Sequence, residues 1–267
     1  MMSFRSIVVL VLALAGTACT TTQVAHDPAK DRGLLWVKHA AEYRALALQV
    51  YQAATLALPG FIEDRSWTVV PGNLDLRDLP PAVIMDVDET VVSNVDFQLD
   101  FEPPVTQLKI DTWNRENEAT PVPGVAKFVR AARAAGVTVF FVTNRPCEQV
   151  PGRPGECPYR DTIVADLGEL GIETDPEYVL LSNERGWTRE KFSRRQQIAQ
   201  THRVIMLIGD DLSDFIACVR DKAYPPCSEL GTPEGRRRLT DEYAHFWGNG
   251  WYVLPNPMHG SWVKTMQ

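Results

Sequence analysis

The strongest constraint in this sequence is an apolar run that ends abruptly in acids, Pro81-Ala82-Val83-Ile84-Met85-Asp86-Val87-Asp88-Glu89-Thr90. Bounded by Pro80 and Pro81, the run reads as a strand buried on both faces, the pattern of parallel strands in α/β proteins. Alternation along an extended chain sends Asp86 and Asp88 to one side and Val87 to the other. They stand at the strand's carboxyl end, where open α/β sheets collect their ligands. Two like charges so close are costly unless a cation or a transferring phosphoryl group compensates them. Taken alone, the pair fits equally well a strand that ends in a solvated turn with a helix-capping Asp.

The design recurs. Val204-Ile205-Met206-Leu207-Ile208-Gly209-Asp210-Asp211-Leu212-Ser213-Asp214-Phe215 is again an apolar strand, a glycine for a tight turn, and acids at the carboxyl end. A third strand, Val137 to Val142, ends in Thr143-Asn144-Arg145. Between the second and third of these carboxyl ends in sequence lies Lys191, with Arg194 and Arg195 in a helical pattern. Helical segments separate the strands: Pro123-Gly124-Val125 opens one that runs to Ala135 with Gly136 as its C-cap, and Asp161 to Leu170 forms another. Tyr178 to Leu181 and Trp251 to Leu254 read as further strands, and Thr232 to Gly248 as a helix. Strands alternating with helices mean βαβ units and a mostly parallel sheet. Gly33 to Leu58 has a helical period and is expected to end at Pro59-Gly60.

This ordered set of a carboxylate pair, a hydroxyl, a lysine and a second acidic strand end resembles the haloacid dehalogenase (HAD) superfamily. The paired stretches Asp-Val-Asp-Glu-Thr-Val-Val-Ser-Asn and Gly-Asp-Asp-Leu-Ser-Asp-Phe are similar to the signatures of class C acid phosphatases, the bacterial lipoprotein nucleotidases. The resemblance covers about Trp36 to Trp262. It implies a HAD-like Rossmannoid three-layer α/β/α fold with a mostly parallel sheet and a small helical cap. It also implies an aspartyl-phosphate mechanism, with Asp86 as nucleophile, Asp88 as acid and base, and Thr143 and Lys191 on the phosphate oxygens. Mg²⁺ would be held by Asp86, Asp210 and the main-chain carbonyl of Asp88, while Asp214 supports its water shell or orients Lys191. Asp211 is expected to face solvent in a first helical turn.

Val91 to Pro121 spans roughly thirty residues, too long for an ordinary strand-to-helix loop, and is expected to be the cap. Asn94 and Phe97 sit where the family signature has an Asn and an aromatic, and with Trp113 they are expected substrate contacts; the resemblance implies that the aromatics stack on a nucleobase, and anchoring the cap itself is the alternative for Phe97 and Trp113. Asn144 and Arg194 complete the expected substrate contacts. Pro255 to Trp262 is similar to the family's closing motif, with His259 where a Tyr is usual. His259 would stack more weakly and carry a pH-dependent charge.

Met1 to Ala18 has a positive n-region at Arg5 and a short apolar stretch, Ile7 to Leu14, and is expected to be a signal segment. Gly16-Thr17-Ala18-Cys19 looks like a lipobox, with Gly16 in place of the usual aliphatic. Cys19 is then the lipidated first residue, Thr20 after it favours outer-membrane sorting, and 19–32 is a tether. Cleavage near Ala18 without lipidation is the alternative. Four further cysteines in an exported chain suggest two disulfides. Proximity favours Cys147–Cys157 and Cys218–Cys227 among the three connectivities.

At 267 residues the chain can bury one sizeable core. A net charge of −7 leaves no footprint for nucleic acid. The expected substrates are small phosphate monoesters, and the aromatic-bearing insert favours nucleoside 5'-monophosphates among them. The rivals are a non-catalytic haem- or nucleotide-binding lipoprotein and another HAD phosphatase, such as one for sugars. A homodimer is compatible with the sequence, which does not set the oligomeric state.

Overall fold

The computed structural model describes residues 28–70, 78–100 and 106–266. The expected signal segment, Cys19 and most of the tether lie outside the described residues. In chain order the elements are α1 (Pro28–His39), α2 (Ala41–Glu63), β1 (Pro81–Met85), α3 (Val95–Asp100), α4 (Gln107–Glu116), α5 (Val125–Ala134) and β2 (Thr138–Pro146). There follow α6 (Pro158–Glu169), β3 (Val179–Ser182), α7 (Phe192–Ala199), β4 (Arg203–Gly209), α8 (Pro233–Glu242), β5 (Trp251–Val253) and α9 (Ser261–Thr265).

The sheet is parallel throughout, in the order β3-β2-β1-β4-β5. The chain runs outward from β1 through β2 to β3, then crosses back to lay β4 on the other side of β1. That reversal puts a crevice at the carboxyl ends of β1 and β4, where open sheets bind ligands. Both strands carry acids just there, so topology brings the two acidic motifs together.

Side-chain alternation splits the core into two layers. Val83 and Met85 of β1, with Val139 and Phe141 of β2, pack toward α2, α5 and α6. Ala82 and Ile84, with Phe140 and Val142, pack on the opposite side with Ile198 of α7 and Trp251. Every residue of β4 is buried, as its unbroken apolar run predicts. The register slips by one residue beside Ala82 and Val83, so β4 spends Ile205 as an extra residue against β1.

The expected single helix from Gly33 to Leu58 is two. Ala40 is extended and separates α1 from α2, and α1 already begins at Pro28, inside the stretch expected to be tether. α2 also runs through Pro59 to Glu63. The ring of Phe61, half-buried, stacks on Trp67 at 4.8 Å, a contact that offsets the hydrogen bond proline removes. The expected helix from Thr232 stops at Glu242, followed by a short 3-10 turn, Ala244–Phe246.

The stretch between β1 and α5 holds α3 and α4. α3 packs against α1, sharing the small cluster of Leu34, Val37, Tyr43, Val95 and Met258. α4 lies against α6. Cys147–Cys157 and Cys218–Cys227 are the two disulfides among the described residues, the pairing that proximity favoured.

Candidate active site

Asp86 follows β1 directly, and its N–H donates to the carbonyl of Ile208 at 2.9 Å, which welds the ends of β1 and β4. Its carboxylate meets the Lys191 ammonium at 2.5 Å, and the same ammonium reaches Asp214 at 2.6 Å. Lys191 is buried at the N-terminus of α7. Asp214 is fixed in turn: its Oδ2 accepts from the main-chain N–H groups of Asp210 and Asp211 at 3.1 and 3.0 Å. That approach requires Gly209, since a Cβ there would stand 2.5 Å from the Cβ of Asp214.

Carboxylate oxygens of Asp86, Asp210 and Asp214 lie within 4.8 Å of one another. Burial, opposed by Lys191 and reinforced by Asp214 and Asp88, pushes the Asp86 carboxyl up to about 7. Burial together with Asp214 and Asp86 holds Asp210 well above the usual carboxylate range. Lys191 bridges Asp86 and Asp214 while Asp210 stands beside them, so three acids, one buried and two half-buried, crowd one ammonium among the described residues and the cluster is short of positive charge. An all-oxygen donor set of this kind suits a hard divalent cation. The residues therefore fit a metal. Asp210 is also aimed by neighbours: its Oδ1 accepts from Thr90 at 3.1 Å and its Oδ2 from Asn256 at 2.7 Å.

Asp88 is held from three sides. Asn94 Nδ2 donates to its Oδ1 at 2.9 Å, Thr143 Oγ1 approaches Oδ2 at 3.4 Å, and Arg145 grips both oxygens at 2.8–3.2 Å. Burial alone would raise this carboxyl, but Arg145 and Asn94 more than offset it and leave it below the ordinary value. Arg145 itself is buried; burial lowers its pKa, but Asp88 and Asp166 outweigh that and raise it. Beside Asp88, Glu89 adopts a left-handed φ of 58° and is buried; it accepts from Asn94 and from His259 Nε2 at 3.2 Å.

The structure brings Asp86, Asp88, Thr143, Lys191, Asp210, Asp214 and Asn94 into one crevice. Three other expectations change. Phe97 is fully buried and meets Trp113 edge-on at 6.0 Å, so it anchors the insert and offers no face to a ligand. Arg194 is fully buried; it donates to the carbonyls of Thr143 and Thr188 and to Asn144 Oδ1, which makes it a support for the strand end and commits the Asn144 oxygen. Asp211 does not face solvent: it accepts from Ser213 N at 2.9 Å, Ser261 N at 2.6 Å and Ser261 Oγ at 2.7 Å. Burial opposes those bonds but loses, and the Asp211 carboxyl is lowered to about 2.

Sequence reasoning missed Arg145 and Asn256. For Arg145 a signal existed, because a two-residue period puts it on the same side of the extended chain as Thr143.

A family model described as HAD superfamily, subfamily IIIB (Acid phosphatase) matches residues 18–262. This chain belongs to that family. It is an acid phosphatase, a phosphoric monoester hydrolase. The class C acid phosphatase from Bacillus anthracis is similar in structure: its form with tungstate bound superposes with a TM-score of 0.70 at 24% identity, over 89% of this chain and 87% of that one. A second structure of the same Bacillus anthracis phosphatase gives a TM-score of 0.69 at 25% identity with the same coverage. The parallel sheet, its helices and the acidic crevice are thus the HAD-like fold of this acid phosphatase.

Proposed function

We propose that the protein is an exported, Mg²⁺-dependent acid phosphatase acting on nucleoside 5'-monophosphates through an aspartyl-phosphate on Asp86. The observation that carries this reading is the placement of Lys191 between Asp86 and Asp214, with Asp88, two residues on from Asp86, gripped by Arg145 and Asn94.

Asp86 Oδ attacks phosphorus in line, and the electron pair of the breaking P–O ester bond goes to the leaving oxygen. That oxygen takes the proton of Asp88 and departs as the alcohol. Water then attacks the phosphoaspartate and gives its proton to Asp88. The P–O bond to Asp86 breaks, which frees phosphate and restores both carboxyls. In this reading Lys191 and Thr143 neutralise nonbridging oxygens. Asp86, Asp210 and the Asp88 carbonyl would hold Mg²⁺, with Asp214 behind them. Bound there, Mg²⁺ supplies positive charge against the phosphoryl group and the crowded acids.

For the organic part of the substrate, Phe97 is not available. Trp113 and His259 remain the aromatic candidates, and the His259 side chain is 42% exposed. Burial lowers its pKa, but Glu89 outweighs that and raises it, so the ring is cationic in acid, which suits an anionic nucleotide. Residues 91–121 act as the cap. Signal cleavage before a lipidated Cys19, with anchoring in the outer membrane, completes the proposal, and a homodimer is compatible with it.

The test is phosphate release from nucleoside monophosphates, sugar phosphates and p-nitrophenyl phosphate, with Mg²⁺ or EDTA, for wild type and Asp86→Asn. EDTA-sensitive release that vanishes in Asp86→Asn is expected, with nucleotides leading the ranking. Release that survives the substitution overturns the phosphoaspartate, and sugar phosphates ranking first overturns the nucleotide preference. Labelling with palmitate in a bacterial host, for wild type and Cys19→Ala, tests the anchor.

A further inference from the structure

A buried chain of polar side chains joins Asp88 to the insert. On one side the Arg145 guanidinium holds Asp88; on the other its Nη1, which makes no hydrogen bond among the described residues, lies 3.5 Å from Asp166 of α6 as an ion pair. Asp166 is buried and receives the amide of Asn114 at 3.3 Å. Asn114 belongs to α4, within the insert. One turn earlier on α4, buried Asp111 is gripped by Arg153 at 2.6 Å, and Thr162 of α6 donates to it as well. The insert is therefore seated on α6 through the Asn114–Asp166 and Thr162–Asp111 hydrogen bonds, and on the loop before α6 through the Asp111–Arg153 ion pair, contacts that demand one geometry where an apolar contact would slide.

The two oxygens of Asp88 are unequally used. Oδ1 receives Asn94 at 2.9 Å, Arg145 Nη2 at 2.8 Å and Arg145 Nε at 3.1 Å. Oδ2 has only the longer approaches, from Nε at 3.2 Å and Thr143 at 3.4 Å. A saturated Oδ1 leaves Oδ2 as the oxygen able to carry a proton. An arginine fork is planar and rigid, so turning its plane turns the carboxylate it holds.

We propose that Arg145 is a positioning residue that couples the seating of α4 to Asp88: Asn114 and Asp166 fix the guanidinium plane, and the guanidinium aims Oδ2 at the leaving oxygen. This rests on the acid–base reading of Asp88 given above. Proton transfer needs the donor within hydrogen-bond reach, and small misplacements are costly. The loss falls on the step that needs the proton. A p-nitrophenolate leaves without protonation, whereas an alkoxide does not.

The experiment uses the full chain with Mg²⁺ and compares a nucleoside 5'-monophosphate with p-nitrophenyl phosphate, for Asn114→Ala, Asp166→Asn, Arg145→Lys and Asp88→Asn. Asn114 touches neither Asp88 nor the crevice, and its variant stands in if a buried Arg145 change fails to fold. Expected for Asn114→Ala is a fall in kcat of about tenfold on the alkyl ester, a part of what a general acid contributes, with KM and p-nitrophenyl phosphate turnover little changed. Equal losses on both esters, or none, overturn the coupling. If Asp88→Asn shows the leaving-group bias and Asn114→Ala does not, the coupling fails while the acid–base reading survives. If Asp88→Asn itself shows no bias, the acid–base reading fails.

Discussion

Asp211 and Ser261 stand 50 positions apart and are joined by two hydrogen bonds, from the Ser261 N–H at 2.6 Å and its hydroxyl at 2.7 Å. The pair pins α9 and the segment before it, which carries Asn256 and His259, to the turn that follows β4. The C-terminal stretch thereby becomes part of the crevice wall.

Removing the Asp211 carboxylate should loosen that wall. A carboxyl lowered to about 2 contributes stability above its unfolded value near 3.8 and loses it as pH falls toward 2. Asp211→Ala is expected to cost about 2–3 kcal/mol at pH 7, the scale of a charge-assisted hydrogen-bonded group, and less near pH 3. Urea unfolding of both proteins at the two pH values checks this. A pH-independent difference would mean that packing, not charge, holds the segment.

Lys191 bridges half-buried Asp86 and buried Asp214, and Lys191→Met keeps much of its volume while removing the charge. Breaking a buried ion pair from one side costs about 3–5 kcal/mol, because the partner charge stays buried. Loss of a group that meets transition-state charge lowers kcat by about 10²–10³. Lys191→Met should therefore show both a lower Tm and a kcat loss in that range with added Mg²⁺. An unchanged Tm would contradict the tight Asp86–Lys191–Asp214 bridge.

The strand ends were legible because an apolar run stopping at acids has few other readings, and the superfamily order then told which acid faces which. Arg145 and Asn256 were missed: beyond Arg145's place on the Thr143 side of its strand, nothing local says what either residue would meet. Arg145 matters only because Asp88 and Asp166 converge on it from 57 residues back and from α6. Asn256 matters only because the fold carries it to Asp210, 46 positions away. Phe97 stayed between stacking and anchoring for the same reason: whether an aromatic in an insert faces a ligand or its own core depends on how the insert docks. The end of α2 was missed because Pro59 is a strong local stop, and only tertiary stacking of Phe61 on Trp67 overrides it.

The acidic crevice predicts a metal-linked pH effect. An acid whose folded pKa is raised binds its proton more tightly folded than unfolded. Its contribution is present in acid, and it is lost as pH climbs from the ordinary carboxylate range through about 7. Metal-free protein should thus weaken across that window. A divalent cation removes the repulsion and binds only the deprotonated acids. The gain in Tm from Mg²⁺ over EDTA should be larger at pH 8 than at pH 5. A gain that is flat or shrinking with pH would place the cation elsewhere.

The last prediction concerns His259, whose ring pairs with buried Glu89 at 3.2 Å. Burial disfavours the imidazolium, but the Glu89 hydrogen bond and charge outweigh it, so the folded pKa is raised. A raised histidine contributes stability that is full below its unfolded value near 6.5 and is lost as pH rises through the folded value. The ring is 42% exposed, so solvent screening keeps the effect to about 1 kcal/mol or less. His259→Gln should therefore be less stable than wild type at pH 5.5 and equal to it at pH 9, with urea midpoints as the measure. It should also raise KM for a nucleotide more in acid than in base, because the cation facing the anionic substrate is gone. A KM change that is the same at both pH values would show that shape, not charge, is what His259 gives the crevice.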